Sequence, residues 1–455
     1  MRRVLPLIFA FVLLAGCNEE KPSLIAEKSP GGIEYLRVMI PSADETVIRI
    51  AWPTDWAFRA QANQAVPFIG VDLILAGGAE GHPAGEVVET FADLRAEGSL
   101  WVNNNDHVMG VLTAPKENFS AAVKIANAHL RAPLLAQEWF ERMRDQDAAD
   151  MAEAAAKPFN KGWDAVYWAI LGDNSLRRML AHESSAEIAA ATRDEVAQWH
   201  RDTFFRTPAK IVVAGDLTAS EAGLAVDGIM EGLPDGKVVE PRQAEVNTTP
   251  KRILLHLPDA QTTNLLFVAP ISALSSHLHD IEEIILLDAL GAGDPSVLFD
   301  AVRTKLRATY GFSAGTFQLS SEQRFLVLYG DVETAKVSEV ERVVRDAYSA
   351  FRKAGPDGDL QRRKEPFLAN VRENEVDPSV HSDSVLLSEV AGLERVHSLD
   401  IRPVFETITA DSLKVRLQSS FPQVDDFIVI AVSPDASAMP GACVVTKPSD
   451  VVGCR

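Results

Sequence analysis

Three stretches of this sequence carry residue types whose spacing could support catalysis or metal binding. The first places His277 and His279 beside Asp280, and imidazole and carboxylate groups are common zinc ligands. These residues immediately precede the apolar segment at residues 281–293, where Asp280 can serve as a helix cap and a first-turn charge. We therefore predict a helix start here rather than a metal site.

The second stretch, Gly311-Phe312-Ser313-Ala314-Gly315, matches the letters of a Gly-x-Ser-x-Gly nucleophile elbow. An elbow must lie between a strand and a following helix, whereas here a helix-like segment precedes the motif and a strand-like segment follows it. The pattern therefore disfavours a serine nucleophile.

The third stretch contains Cys443 and Cys454, which are the only cysteines after Cys17. In an oxidising compartment we expect this pair to close a small terminal loop as a disulfide. Metal binding by two isolated cysteines is the weaker alternative.

The element that organises the chain is the apolar stretch at residues 66–78, VPFIGVDLILAGG. Asp72 is its only ionisable residue, and a Gly-Gly pair closes it, so the pattern predicts a buried element.

The first residues resemble a bacterial lipoprotein signal. Arg2 and Arg3 precede an apolar run at residues 4–14, which is too short to span a bilayer permanently. Cleavage before Cys17 would leave that cysteine as the lipid-bearing N-terminus. An ordinary signal peptide over residues 1–16 with an incidental cysteine is the alternative.

Residues 17–32 are polar and rich in proline and glycine, which is typical of a tether. We therefore predict a periplasmic protein with a lipid anchor, and Asn18 weakly favours the outer membrane. Removing residues 1–16 takes away two arginines, so the formal charge changes from -20 to -22. Such an acidic surface disfavours nucleic acid as a partner and broad electrostatic adhesion to anionic membranes.

The chain is internally duplicated. A shift of 217 residues brings residues 47–53 onto 264–270 and residues 191–215 onto 408–432 in one register. Strand-like and helix-like segments alternate in both halves. We therefore predict an α+β fold of two homologous α/β halves, each a mixed, mostly antiparallel sheet flanked by helices. The predicted segments are two domains at residues 33–233 and 252–440, a linker at 234–251, and a tail at 441–455 with the disulfide.

Three segments that follow this duplication resemble the insulinase/pitrilysin family of zinc peptidases, in its processing-peptidase-like branch. They are residues 96–126, close to the family's edge strand and following helix, residues 192–217, like its helix and closing strand, and residues 296–315, like a second-half helix and strand.

In active members of that family, a buried helix carries His-x-x-Glu-His, which holds zinc and supplies a general base. The resemblance places Ile69, Asp72 and Leu73 at those positions. Two aliphatic side chains cannot donate lone pairs, and a third ligand near Asp150 or Glu153 would have no site to complete. We therefore expect no catalytic residue, no metal and no cofactor in this chain, with zinc held by a partner subunit.

The resemblance also places Arg303 and Tyr310 at positions where this branch binds the substrate carbonyl or its developing oxyanion. A guanidinium and a phenol can both donate to such an oxygen. The alternative is that Arg303 interacts with its helix dipole and Tyr310 packs in the core.

The leading prediction is a non-catalytic subunit of a periplasmic heterodimeric zinc peptidase, which supplies half of the chamber and Arg303 and Tyr310 in trans. A peptide substrate would add to a sheet edge within residues 99–110. One alternative is a peptide- or protein-binding scaffold of the same fold with no role in proteolysis. A hydrolase with a relocated active site is a third possibility.

Overall fold

The computed structural model describes residues 21–240, 242–292, 296–307, 311–356 and 358–454. Two six-stranded sheets, one from each half of the chain, form its framework. Helices pack on both faces of each sheet. This architecture confirms the predicted fold class.

The first half supplies the first sheet and nine helices among the described residues. Its strands are β1 (Ser23–Lys28), β2 (Glu34–Met39), β3 (Glu45–Pro53), β4 (Glu97–Asn103), β5 (His107–Pro115) and β6 (Lys210–Gly215). Its helices are α1 (Val66–Ala76), α2 (Val87–Asp93), α3 (Lys116–Arg131), α4 (Gln137–Ala156), α5 (Pro158–Leu171), α6 (Ser175–Leu180), α7 (Ser185–Ala190), α8 (Arg193–Thr203) and α9 (Ala219–Met230). The sheet order is β1-β2-β6-β3-β5-β4, and every neighbouring pair except β2 and β6 is antiparallel.

The second half supplies the second sheet. Its strands are β7 (Arg252–His256), β8 (Thr263–Ile271), β9 (Phe312–Gln318), β10 (Arg324–Val332), β11 (Ile428–Ser433) and β12 (Cys443–Val445). Its helices are α10 (His277–Leu287), α11 (Val297–Phe299), α12 (Val337–Ala354), α13 (Leu360–Glu373), α14 (Pro378–Ala391), α15 (Arg402–Thr407) and α16 (Ala410–Ser420). The order is β12-β7-β11-β8-β10-β9, with parallel pairing at β12-β7 and β7-β11.

The two halves repeat each other in the register that the sequence indicates. Strands β5 and β10 begin at residues 107 and 324, which are 217 apart, and α8 and α16 begin at residues 193 and 410, also 217 apart. Thr192 and Thr409 cap these two helices with a reciprocal capping box. The duplication therefore extends to the local chemistry that starts a helix.

Each half covers the outer face of the other half's sheet. Val385 and Leu386 of α14 are buried with Val38 and Val212 of the first sheet. In the other direction, α5 buries Val166 among strands of the second sheet. The inner faces are filled by helices of their own half, so four apolar clusters hold the described chain together.

Polar contacts reinforce this exchange of helices. On β3, Arg49 donates to Ser382 Oγ at 3.0 Å and forms an ion pair with Asp383 at 3.0 Å. Where the β4-β5 and β9-β10 turns meet, Asp106 accepts hydrogen bonds from the backbone N–H and the hydroxyl of Ser321, both at 2.7 Å. The halves are therefore joined by packing and by specific hydrogen bonds.

The structure differs from the predicted tether and tail. Residues 23–28 form β1 and pair with β2, so this part of the predicted 17–32 tether belongs to the first sheet. Likewise, Cys443–Val445 pairs with β7, so part of the predicted 441–455 tail completes the second sheet. Cys443 and Cys454 are joined by a disulfide with Cα atoms 5.8 Å apart.

The described part of residues 234–251 contains neither helix nor strand. The predicted signal over residues 1–16, Cys17 and Asn18 lie outside the described residues. Within the described ranges, no helix has both the length and the apolar character needed to cross a membrane.

Candidate functional site

Helix α1 lies against the edge strand β4 and helix α8, in the core of the first half. Pro67 occupies its first turn, where a missing N–H costs nothing, and Gly77 and Gly78 follow its end. Gly78 has φ +83°, a conformation that favours glycine. Gly70 allows close packing, since a Cβ there would lie 2.3 Å from the Trp199 ring. These features fix the position of α1 in the core.

The motif positions on α1 do not fit a metal ion. Ile69 and Leu73 have no exposed surface and belong to the apolar core. Neither side chain has a lone pair to donate, and zinc in proteins requires nitrogen, sulfur or oxygen ligands. Among the described residues, no group of three or more histidine, cysteine, aspartate or glutamate side chains is arranged to hold a metal. The zinc chemistry implied by the family resemblance therefore has no ligand set on this helix.

Asp72 faces a cavity of about 700 Å³ beside α1. Partial desolvation raises the pKa of its carboxyl group. Asp147 and Asp150 of α4 line the same cavity, and burial, followed by repulsion from Asp72 and Asp150, raises the pKa of Asp147. Glu153, the other predicted position for a third ligand, points elsewhere and pairs with Lys157 at 3.4 Å.

The sequence gives no local pattern that indicates Asp147 as a site residue. Asp147 lies on α4, and only the packing of α4 against α1 brings it to the cavity. The carboxylates give the cavity wall an acidic character, with Arg178 and His182 lining it as well.

Strand β4 forms the other wall of this cavity, through Leu100, Trp101 and Val102. It is the last strand of the first sheet, and its far side has no partner strand in the described chain. An unpaired strand edge exposes N–H and C=O groups that can pair with an extended peptide. The predicted edge at residues 99–110 is therefore correct for its β4 part. It is wrong for residues 107–110, which lie in β5 between β3 and β4.

Arg303 lies on the surface of the second half. It is exposed in the π-helical turn Asp300–Lys305 that continues α11, and its guanidinium carbon lies 4.7 Å from the centre of the Phe299 ring. Its position in the last turn is also favourable for interaction with the helix dipole. Arg303 does not line the cavity beside α1. Tyr310 lies outside the described residues, so its position relative to Arg303 stays a prediction.

The remaining sequence candidates have structural roles. Helix α10 begins at His277, and its N-cap is Ser276, whose hydroxyl accepts from the backbone N–H of His279 at 3.2 Å. Asp280 therefore supplies a first-turn charge but not the cap that we predicted. Ser313 lies inside strand β9, which is not the geometry of a nucleophile elbow.

Comparison with known proteins finds one matching family model and solved structures with the same fold. Residues 190–366 match the family model of the peptidase M16 inactive domain. No curated protein matches the sequence significantly.

Solved structures share the fold along most of the chain. The peptidase M16 inactive domain from Pseudomonas fluorescens superposes with a TM-score of 0.78 at 16% identity, covering 92% of this chain and 100% of that one. A protease from Helicobacter pylori gives 0.77 at 13% identity, covering 91% and 100%. The periplasmic protease PqqL from Escherichia coli gives 0.67 at 12% identity, covering 93% of this chain and 49% of PqqL. Residues 190–366 are therefore similar to the peptidase M16 inactive domain, and most of the chain shares the fold of these solved structures.

Proposed function

We propose that this chain is the non-catalytic subunit of a heterodimeric M16 peptidase, in which it binds peptide and completes a chamber with a zinc-bearing homologue. The observation that carries the proposal is the composition of α1. The family resemblance aligns Ile69 and Leu73 with the two zinc-binding imidazoles of active members, and both side chains are fully buried in the core. On this alignment the helix would retain the place of the catalytic element without its ligands.

The cavity beside α1 supports a role in peptide binding. An extended peptide can add to the open edge of β4 and direct alternate side chains toward the cavity wall. Trp101 and Phe68 supply apolar surface there, and Phe68 is 44% exposed. Asp72 and Asp147 supply negative charge. A site of about 700 Å³ is large enough to contain several peptide side chains.

The proposal of a partner rests on size and on the second half. This chain matches 49% of PqqL, so that protease has room for two such units in one chain. We infer that a separate zinc-bearing chain supplies the second unit here. Arg303 is exposed and is therefore available to reach across such an interface, where it would act with Tyr310 on the substrate carbonyl.

We also propose a periplasmic location with a lipid anchor at Cys17. PqqL is described as periplasmic, and the Cys443–Cys454 disulfide suits an oxidising compartment. Mass spectrometry of the membrane-extracted chain tests this point, because acylation adds the mass of the lipid to a peptide that begins at Cys17.

The test of function uses the full chain co-expressed with an M16 homologue from the same genome that retains His-x-x-Glu-His. We expect the pair to hydrolyse a fluorogenic peptide that neither subunit hydrolyses alone. Arg303→Ala and Tyr310→Phe should each lower kcat/KM of the pair by about 10²-fold, the typical effect of removing one oxyanion donor. Arg342→Ala is the matched control, because Arg342 is an exposed arginine on α12 of the same half.

Three outcomes would contradict parts of the proposal. Unchanged hydrolysis in both the Arg303→Ala and Tyr310→Phe pairs would remove their role in trans. A pair that forms and binds peptide but does not hydrolyse it would favour the scaffold function. Peptide hydrolysis by the isolated chain, abolished by chelator and accompanied by stoichiometric zinc, would overturn the assignment as a non-catalytic subunit.

A further inference from the structure

A second cavity lies between the two halves, away from α1. It measures about 290 Å³ and is enclosed by α10, α14, the β9-β10 turn and the β4-β5 turn. Its position requires both halves, since Asn103 and Asn104 come from the first half and the rest of the wall from the second. A volume of this size suits an amino-acid residue rather than a long peptide.

Two hydrogen-bond donors on the wall of this cavity lack acceptors. Arg324 is 5% exposed, and its terminal nitrogens are occupied by Glu283 and by the Ser272 carbonyl. Its Nε, however, has no acceptor in the described chain, and neither has the buried Nδ2 of Asn103. Buried donors without acceptors are costly, but both atoms have almost no accessible surface, so neither presents its N–H to a ligand in the cavity.

The same wall contains a carboxylate without a hydrogen-bond partner. Asp280 lines the cavity, and no hydrogen bond or ion pair to its side chain occurs among the described residues. Burial, and then the neighbouring Glu283, raise the pKa of Asp280, while Arg324, His277 and Arg416 lower it to a smaller extent. A cationic group in the cavity would compensate for the lost hydration of this carboxylate.

The opposite wall is apolar. Ile284 and Leu387 are 40% and 41% exposed, and together with Leu274, Ile281 and Val390 they leave hydrophobic surface facing the cavity. Covering that surface with an aliphatic side chain would remove it from water. The cavity thus offers one anionic acceptor and an apolar wall.

We propose that this cavity binds an α-ammonium group together with the aliphatic side chain of the same residue. In this arrangement Asp280 accepts from the ammonium, and Ile284 and Leu387 contact the side chain. A free aliphatic amino acid and the N-terminal residue of a peptide both have this chemistry. The site lies outside the cavity beside α1 and does not depend on pairing with a peptidase.

The experiment is isothermal titration calorimetry of the purified full chain with L-leucinamide, L-leucine, Leu-Gly-Gly and N-acetyl-leucinamide. We expect L-leucinamide to bind. N-acetylation should weaken binding at least about tenfold, because the acetylated nitrogen has no positive charge to pair with Asp280. If Leu-Gly-Gly binds and L-leucine does not, the ligand is a peptide N-terminus. If L-leucine binds and Leu-Gly-Gly does not, the ligand is a free amino acid.

Variants test whether L-leucinamide binds in this cavity or elsewhere on the protein. Asp280→Asn should weaken L-leucinamide binding at least about tenfold, while Asp346→Asn, an equal charge change at an exposed position on α12, should leave it unchanged. Leu387→Ala gives a second test if Asp280→Asn does not fold, because it should weaken L-leucinamide but not glycinamide. Absence of binding by all four ligands at about 10 mM, or equal binding of the acetylated and free amides, would overturn the proposal.

Discussion

The exchange of helices between the halves predicts that damage to one half will destabilise the other. Val385 of α14 is 1% exposed and belongs to the apolar cluster on the outer face of the first sheet, more than 150 residues away in sequence from β6. Val385→Ala removes two methyl groups from that cluster. At about 0.8 kcal/mol for each buried group, plus the cost of an unfilled cavity, we expect a loss of about 2–3 kcal/mol in the free energy of unfolding.

The matched control lies on the same helix. Val380 is 41% exposed, so Val380→Ala deletes the same atoms from a position where solvent already replaces part of the packing. Its expected effect is below about 1 kcal/mol. Both variants replace valine by alanine on α14, so most of the difference between them reports the packing of α14 on the first sheet.

Hydrogen exchange measured by mass spectrometry locates the effect. If the two halves stabilise each other, Val385→Ala should speed exchange in β3 and β6 of the first sheet as well as in α14. A loss of 2 kcal/mol corresponds to about a 30-fold increase in exchange through that opening. Faster exchange confined to α14 and the second half, with β3 and β6 as in the parent, would refute the idea that the halves form one cooperative unit.

Two further predictions concern pH and the disulfide. Burial lowers the pKa of His129, whose Nδ1–H donates to the Ile74 carbonyl at 3.1 Å, so the folded chain favours neutral imidazole. The unfolded chain takes up this proton at a pKa of about 6.5, and stability should therefore fall as pH drops below that value. Urea denaturation should show a shallower fall in His129→Gln, and an unchanged slope would contradict the prediction. Cys443→Ser should lower the free energy of unfolding by about 3 kcal/mol, because Cys443 and Cys454 close a short loop, and reductant should then have no further effect on the variant's melting temperature.

The sequence predicts those elements whose signal is local and repeated. Strands β5 and β10 have alternating or continuous apolar residues in matching register, and Thr192 and Thr409 begin α8 and α16 with the same capping chemistry. The burial of α1 follows from its composition, since Asp72 is the only polar group in an apolar run. The motif positions at Ile69 and Leu73 required the family resemblance, because two buried aliphatic residues carry no signal of their own.

Other features depend on contacts that no local pattern encodes. Strand β1 is polar and lies at the edge of the sheet, where backbone pairing with β2 holds it and Ile25 remains 39% exposed. The same composition is typical of a tether, which explains the wrong prediction for residues 23–28. The cavity between the halves depends on side chains at positions 103, 280 and 324, which meet only after both sheets have formed.

The composition of α1 also bears on why a cavity persists beside it. Two imidazoles at positions 69 and 73 without a metal would be buried polar groups, each costing about 1–3 kcal/mol unless hydrogen-bonded. Ile69 and Leu73 avoid that cost and add apolar packing instead. Stability alone would equally favour filling the space next to them, yet Asp72 and Asp147 remain at its wall with their pKa values raised by burial. An energetically unfavourable acidic wall beside an open strand edge is understandable if the cavity binds peptide, as we propose.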